Sequence, residues 1–170
     1  MTRFRVVPNR SRLLIEATSS LHPIRVETTG LEGAFEAALV DDQPDLTVPP
    51  TGRIEINADR LLTGNVLYDR ELERRLEMRK YPRIRGEIVA VQADGDDRYL
   101  VRGNLSLHGT TRPVEGRVRM RVADDGTIEA EGDQVFDMRD FNLDPPRLLM
   151  LKVHPQVRVR GRLVAVREDG

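Results

Sequence analysis

Three histidines, His22, His108 and His154, are the side chains of this sequence best suited to chemistry near neutral pH. A metal centre would need them gathered, and paired spacings such as His-x-His achieve that within one element. No such spacing occurs, and none of the three has an obvious carboxylate partner nearby. His22 and His154 each precede a proline and are expected in bends; His108 precedes a turn on a polar strand face, a surface or rim position. There is no cysteine, so disulfides and thiolate ligands are excluded. No glycine-rich phosphate loop opens a helix, and no Gly-x-Ser-x-Gly elbow is present. The expectation is a protein that is not an enzyme and holds no cofactor or metal. Arginines alternate along Arg117–Arg121 and Arg158–Arg162, a pattern that raises the question of nucleic acid. Acids are expected to face the first row, and no aromatic platform exists for stacking bases, so a solvated outer face is expected instead.

The chain has 170 residues, enough for one domain over residues 1–170 that buries most of its apolar surface unaided. Its 27 basic and 28 acidic side chains leave a formal charge of −1, which argues against electrostatic attachment to nucleic acid or membrane. No apolar run approaches the ~20 residues of a membrane-spanning helix. The segment from Met1 has no stretch of secretory-signal length, so a cytoplasmic location is expected, or a periplasmic or secreted one had a leader been removed. With four Phe, three Tyr and no Trp, the core must be built from Val, Leu, Ile and Ala.

Period-two alternation dominates. Leu13, Ile15 and Ala17 share a face; so do Ile24 and Val26, then Gly33, Phe35, Ala37 and Leu39, then Ile54 and Ile56. The prolines and acids of residues 41–52 interrupt pairing. Helical spacing of Leu72 and Leu76 among charged residues predicts one short helix near residues 69–80, ended by Tyr81-Pro82 and lying against a rim of the sheet. Residues 84–91 and 99–108 read as a hairpin, with a Gly-Thr-Thr-Arg-Pro turn after the second strand. The next hairpin turns at Asp124-Asp125-Gly126. Keeping both of its apolar sets on one face requires paired residue numbers with an even sum, which a three-residue loop with left-handed Gly126 provides. That register sets Arg121 opposite Glu129, Arg119 opposite Glu131 and Arg117 opposite Asp133. A last strand runs over residues 156–166. About eight short strands and one helix suggest an all-β antiparallel barrel, because closure removes exposed Val-rich edges. Leu148-Leu149-Met150-Leu151 reads as a buried strand start, or else as a lip of the mouth or a homodimer contact.

The inward rows mix aliphatic side chains with Gly and Ala, leaving volume and offering few hydrogen-bond partners. A long apolar chain would gain ~0.8 kcal/mol per methylene in such a space. Alternation alone allows equally a barrel filled by its own side chains, acting through its surface as an interaction or stress-response module.

The stretch Gly103-Asn-Leu-Ser-Leu-His-Gly-Thr-Thr-Arg-Pro-Val114 closely resembles the signature strand and turn of the YceI-like family. Pro8-Asn-Arg-Ser11, Gly33-Ala-Phe35, Leu62-Thr-Gly-Asn65 with Tyr81-Pro82, and Arg139-Asp-Phe-Asn142 resemble further family motifs in the same order. The departures are Val7 for Asp, Arg10 for His, Gly86 for Phe, Ser106 for Thr, Thr110 for Val and Asn142 for Gly. The resemblance implies a lipocalin-like antiparallel barrel that binds, stores or transports a polyisoprenoid or similar long-chain lipid. Its walls would then be Leu13, Ile15, Phe35, Ile54, Ile56, Leu105, Leu107, Met120, Phe136 and Phe141. Leu72 and Leu76 would line a helical lid.

Overall fold

The computed structural model describes residues 1–145, 147–148 and 150–168. In chain order the strands are β1 (Thr2–Val6), β2 (Arg12–Ser19), β3 (Ile24–Thr28), β4 (Glu32–Ala37), β5 (Leu39–Val40), β6 (Gln43–Pro44) and β7 (Thr51–Asn57). Helix α1 (Val66–Arg75) follows, then β8 (Arg83–Ala93), β9 (Arg98–Leu107), β10 (Thr110–Val122), β11 (Ile128–Asp137), β12 (Arg147–Leu148) and β13 (Leu151–Arg167). Eight of these, in the order β1-β4-β7-β8-β9-β10-β11-β13, form an antiparallel ring that closes where β13 pairs with β1. The all-β barrel expected from alternation is what forms.

Closure depends on a kink. β1 and β2 lie on the same edge of β13, at Ala165–Arg167 and at Val153–Arg162 respectively. Between them Pro8–Arg10 makes one 3-10 turn. Buried Ser11 fastens that turn: its hydroxyl donates to the Val7 carbonyl (2.9 Å) and accepts from the Val164 N–H (3.0 Å). The β2–β3 hairpin then extends the wall beyond the ring.

The β10–β11 register is the even-sum one, with Val118↔Gly132, Met120↔Ala130 and Val122↔Ile128, and Gly126 is left-handed at φ 84°. Arg121 reaches Glu129 at 2.9 Å. The expected pair of Arg117 with Asp133 does not form. β10 and β11 separate beyond Val118↔Gly132, so Arg117 turns to Asp94 (3.6 Å) and Asp133 to Arg158 on β13 (2.5 Å). Two other boundaries differ from the sequence reading. The helix covers Val66–Arg75, because the Asn65 side chain accepts from the Leu67 and Tyr68 N–H groups and starts it early, while left-handed Glu77 (φ 48°) follows its end. The β9–β10 turn is the two-residue His108-Gly109, both left-handed, as a tight twisted hairpin requires. Thr110–Pro113 therefore belong to β10; at Pro113 that strand has β9 alone as partner, so the missing N–H costs no ladder bond.

The outer face is an ion-pair lattice. Arg160 bonds Glu16, Arg83 bonds Glu55 (2.8 Å) and Arg158 bonds Asp133, and each guanidinium holds its carboxyl below the ordinary value of 4.5 for Glu or 3.8 for Asp. A carboxyl depressed in the folded state contributes stability above its unfolded pKa and loses it as pH falls. The urea midpoint should therefore be flat from pH 8 to pH 6 and decline below about pH 4.5, which a series of equilibrium unfolding curves would show.

Candidate ligand-binding bore

Three apolar clusters and an open space beside Gly86 make up the interior. At one end Phe4, Ala37, Ile128 and Ala165, from β1, β4, β11 and β13, are buried and form a plug. Phe4 stacks on Phe35 with ring centroids 5.3 Å apart. At the other end Tyr68 of α1 packs against Ile24, Leu151 and Val153 beside Ala17 and Met138. Val6, Leu31 and Ile56 are buried on the β1–β7 side, with Leu13, Ile54 and Ile84 against them.

Elsewhere the inward apolar row keeps contact with solvent-sized space. Ile15, Leu105, Leu107, Met120 and Phe136 are half-buried, although alternation turns them inward. Gly86 gives the direct measure: a Cβ built there meets no atom within 4 Å. Gly86 sits between Ile84 and Ile88, opposite Leu105 and Ile54, so that free space is inside the ring. Additions at Gly116 and Gly132 also meet only ordinary contacts at 3.7–3.9 Å, whereas at Gly52 one would strike Phe35 at 2.5 Å. The hollow thus lies against β8, β9, β10 and β11.

The twelve sequence-selected residues fall as follows. Leu13, Ile15, Phe35, Ile54, Ile56, Leu105, Leu107, Met120 and Phe136 stand on the inward rows. Ile56 is already packed away. Phe141 is buried too, but in the 3-10 turn Met138–Phe141 rather than on a strand. Leu72 and Leu76 are half-buried at the helix. Leu149 of the Leu148–Leu151 run lies outside the described residues; within the run Leu151 is buried and Met150 is exposed.

Two polar residues, whose type hides them in an otherwise apolar alternation, also face the interior. Gln134 follows the same alternation as Gly132 and Phe136, and its amide oxygen lies 3.9 Å from where a Gly116 Cβ would stand. Tyr99, opposite Val118, also points inward; burial pushes its phenol above the ordinary value, with the Asp97 carboxylate adding to the effect. They give the greasy wall a few places for a ligand's polar end.

The rim carries a latch. His108 Nε2 lies 2.8 Å from Glu77 Oε2 and Nδ1 lies 3.3 Å from the Phe141 carbonyl, with Tyr81 edge-on at 5.6 Å. The β9–β10 turn is thereby tied to the segment after α1 and to the 3-10 turn. Replacing His108 with Asn keeps a residue tolerant of positive φ and removes the Glu77 contact. Amide exchange in Val66–Arg75 should accelerate while the melting temperature falls by no more than about 3 °C. Among the described residues no group of three or more His, Asp or Glu is placed to hold a metal ion, and no helix is long and apolar enough to cross a membrane.

A closed antiparallel ring of eight strands with open apolar space inside defines a hollow, lipocalin-like β-barrel. More narrowly, the YceI-like domain model matches residues 4–165, and the chain belongs to that family. The structure of BcnA from Burkholderia cenocepacia is similar with TM-score 0.80 at 16% identity, covering 95% of this chain and 99% of that one. A polyisoprenoid binding domain from Saccharophagus degradans, implicated in plant cell wall breakdown, gives TM-score 0.75 at 13% identity, covering 99% and 100%. A Campylobacter jejuni YCEI protein gives TM-score 0.59 at 14% identity over 80% and 82%. At such identities the likeness is one of fold. No curated protein matches the sequence.

Proposed function

We propose that this protein binds a polyisoprenoid or similar long-chain amphiphilic lipid in the bore, to store or transport it, and performs no chemistry on it. The observation that carries this reading is the open space facing Gly86, bounded by the half-buried Leu105 and Leu107. An apolar chain there gains ~0.8 kcal/mol for each methylene it buries, so about fifteen such groups leave about micromolar affinity after an association cost of about 4 kcal/mol. Family membership and the fold shared with the Saccharophagus degradans polyisoprenoid binding domain support the ligand class. In this reading Leu13, Ile15, Phe35, Ile54, Met120 and Phe136 form the wall and Gln134 orients the polar end. Leu72 and Leu76 belong to the gate that His108 and Glu77 fasten.

The test is extraction of the purified protein with organic solvent followed by mass spectrometry, together with titration of the emptied protein with a fluorescent long-chain isoprenoid. A co-purifying lipid and saturable uptake at one site per chain are expected. Protein that is always empty and takes up no isoprenoid would refute the reading.

A further inference from the structure

A groove of about 590 Å³ crosses the outer wall of the barrel, away from the bore. Its floor is backbone at the directly paired Gly132 and Gly161, with Val118 and Leu14 beside them. Its walls are Arg12, Arg98, Arg117, Arg119, Arg160 and Arg162, against only Asp94, Glu131 and Asp133. Six cations and three anions line it; counting the ion-pair partners just outside, Glu16, Glu27, Glu129 and Arg158, seven cations face six anions, an excess of one positive charge in a chain whose net charge is −1.

The strand registers make that excess specific. One transverse row reads Arg98↔Arg119↔Glu131↔Arg162↔Arg12 across β9, β10, β11, β13 and β2. Arg98 and Arg119 are directly opposed, as are Arg162 and Arg12, and like charges so placed repel. Arg12 is relieved by Glu27 (3.1 Å) and Arg162 by Glu129 (3.6 Å). Arg117, next to Arg119 along the row's edge, leans on Asp94 at 3.6 Å. Among the described residues Arg98 and Arg119 have no acidic partner within 4 Å. Glu131 is the acid opposite Arg119 in the register and stands between it and Arg162, so Arg98 and Arg119 share one facing carboxylate and no ion pair, inside a recess.

We propose that the Arg98–Arg119 pair is the seat of a multiply charged phosphoryl anion, with Arg117 at its side and the groove accommodating the rest of the molecule. Two guanidinium groups side by side present more N–H donors than one planar carboxylate can accept, whereas a tetrahedral phosphoryl group can take bonds from both. The groove has no aromatic lining, which disfavours a nucleic-acid strand. The phosphoryl group could be free or could be the head of a lipid, and the arms of the test separate these.

The experiment is calorimetric titration at low salt with pyrophosphate, tripolyphosphate, citrate and a short-chain prenyl diphosphate, on the native protein and on Arg98→Gln/Arg119→Gln. Binding of pyrophosphate or tripolyphosphate is expected, weakening with added salt and at least about tenfold weaker in the double variant. Without ligand the double variant should melt at the same temperature or higher, because a repulsion has been removed. Response to prenyl diphosphate that is lost in the double variant, with none to pyrophosphate, would assign the seat to a lipid head. Phosphoryl binding unaltered in the double variant, citrate binding as tightly as tripolyphosphate, or no binding in any arm would overturn the proposal. A prenyl diphosphate signal kept by the double variant reports the bore rather than this seat, so the pyrophosphate arm and the double variant keep the two readings apart.

Discussion

Gly86→Phe, which restores the residue of the resembled family motif, is expected to weaken uptake of a long lipid chain about a hundredfold while leaving the barrel intact. The position is unusual in combining an inward direction with nothing within 4 Å of an added Cβ, and its backbone is not in the left-handed region, so a larger residue enters without strain. A phenyl ring there projects between Leu105 and Ile54, the paired positions on either side. It occupies room that about four methylenes of a bound chain would use. At ~0.8 kcal/mol each this removes about 3 kcal/mol of binding, roughly a hundredfold in Kd. Folding should gain slightly, since an aromatic replaces glycine in a strand. Isoprenoid titration and urea unfolding on the same sample separate the two effects. Uptake equal to that of the native protein would mean that the space at Gly86 is not on the ligand's path, and the bore would lose its role.

How much of this was legible beforehand follows from the range of each interaction. The β10–β11 register could be read from parity, because apolar residues on both strands had to share a face and Gly126 supplied the loop. Asn142 stands where the resembled motif has Gly, and its φ of 56° is the left-handed conformation that Asn tolerates better than most residues. The helix start was missed because the apolar stripe begins at Leu72, whereas the helix begins where Asn65 caps it. Arg117 went to Asp94 rather than Asp133 because β11 leaves β10 to continue along β13, a choice made between strands distant in sequence. Gln134 stood in an alternating row and was passed over for being polar. β1 had the right pattern, Phe4 and Val6 alternating with Arg3 and Arg5, but five residues at a terminus do not reveal that they close a ring against residues 165–167. Which inward residues seal the barrel and which border its hollow is set by that closure, and so it emerged only in three dimensions.

Closure also determines where the fold is most vulnerable, and Phe4→Ala should be among the most destabilising substitutions. Phe4 is fully buried, stacks on Phe35 of β4 at an interplanar angle of 20°, and packs with Ile128 and Ala165 from the strands on its other side. It therefore bonds three strands at the seam where the first strand of the chain meets the last. Removing a buried phenyl ring costs about 3–5 kcal/mol, because transfer energy is lost and a cavity remains. For a protein of this size that is a drop of about 10 °C in melting temperature. The same change unseals the plugged end, so a dye that brightens in apolar surroundings should enter more readily. Phe4→Leu keeps most of the volume and should cost no more than about 1.5 kcal/mol. A double-mutant cycle with Phe35→Leu should show coupling between the rings, since the two are in contact. If Phe4→Ala melted with the native protein, the seam between β1 and β13 would not be what keeps the ring closed.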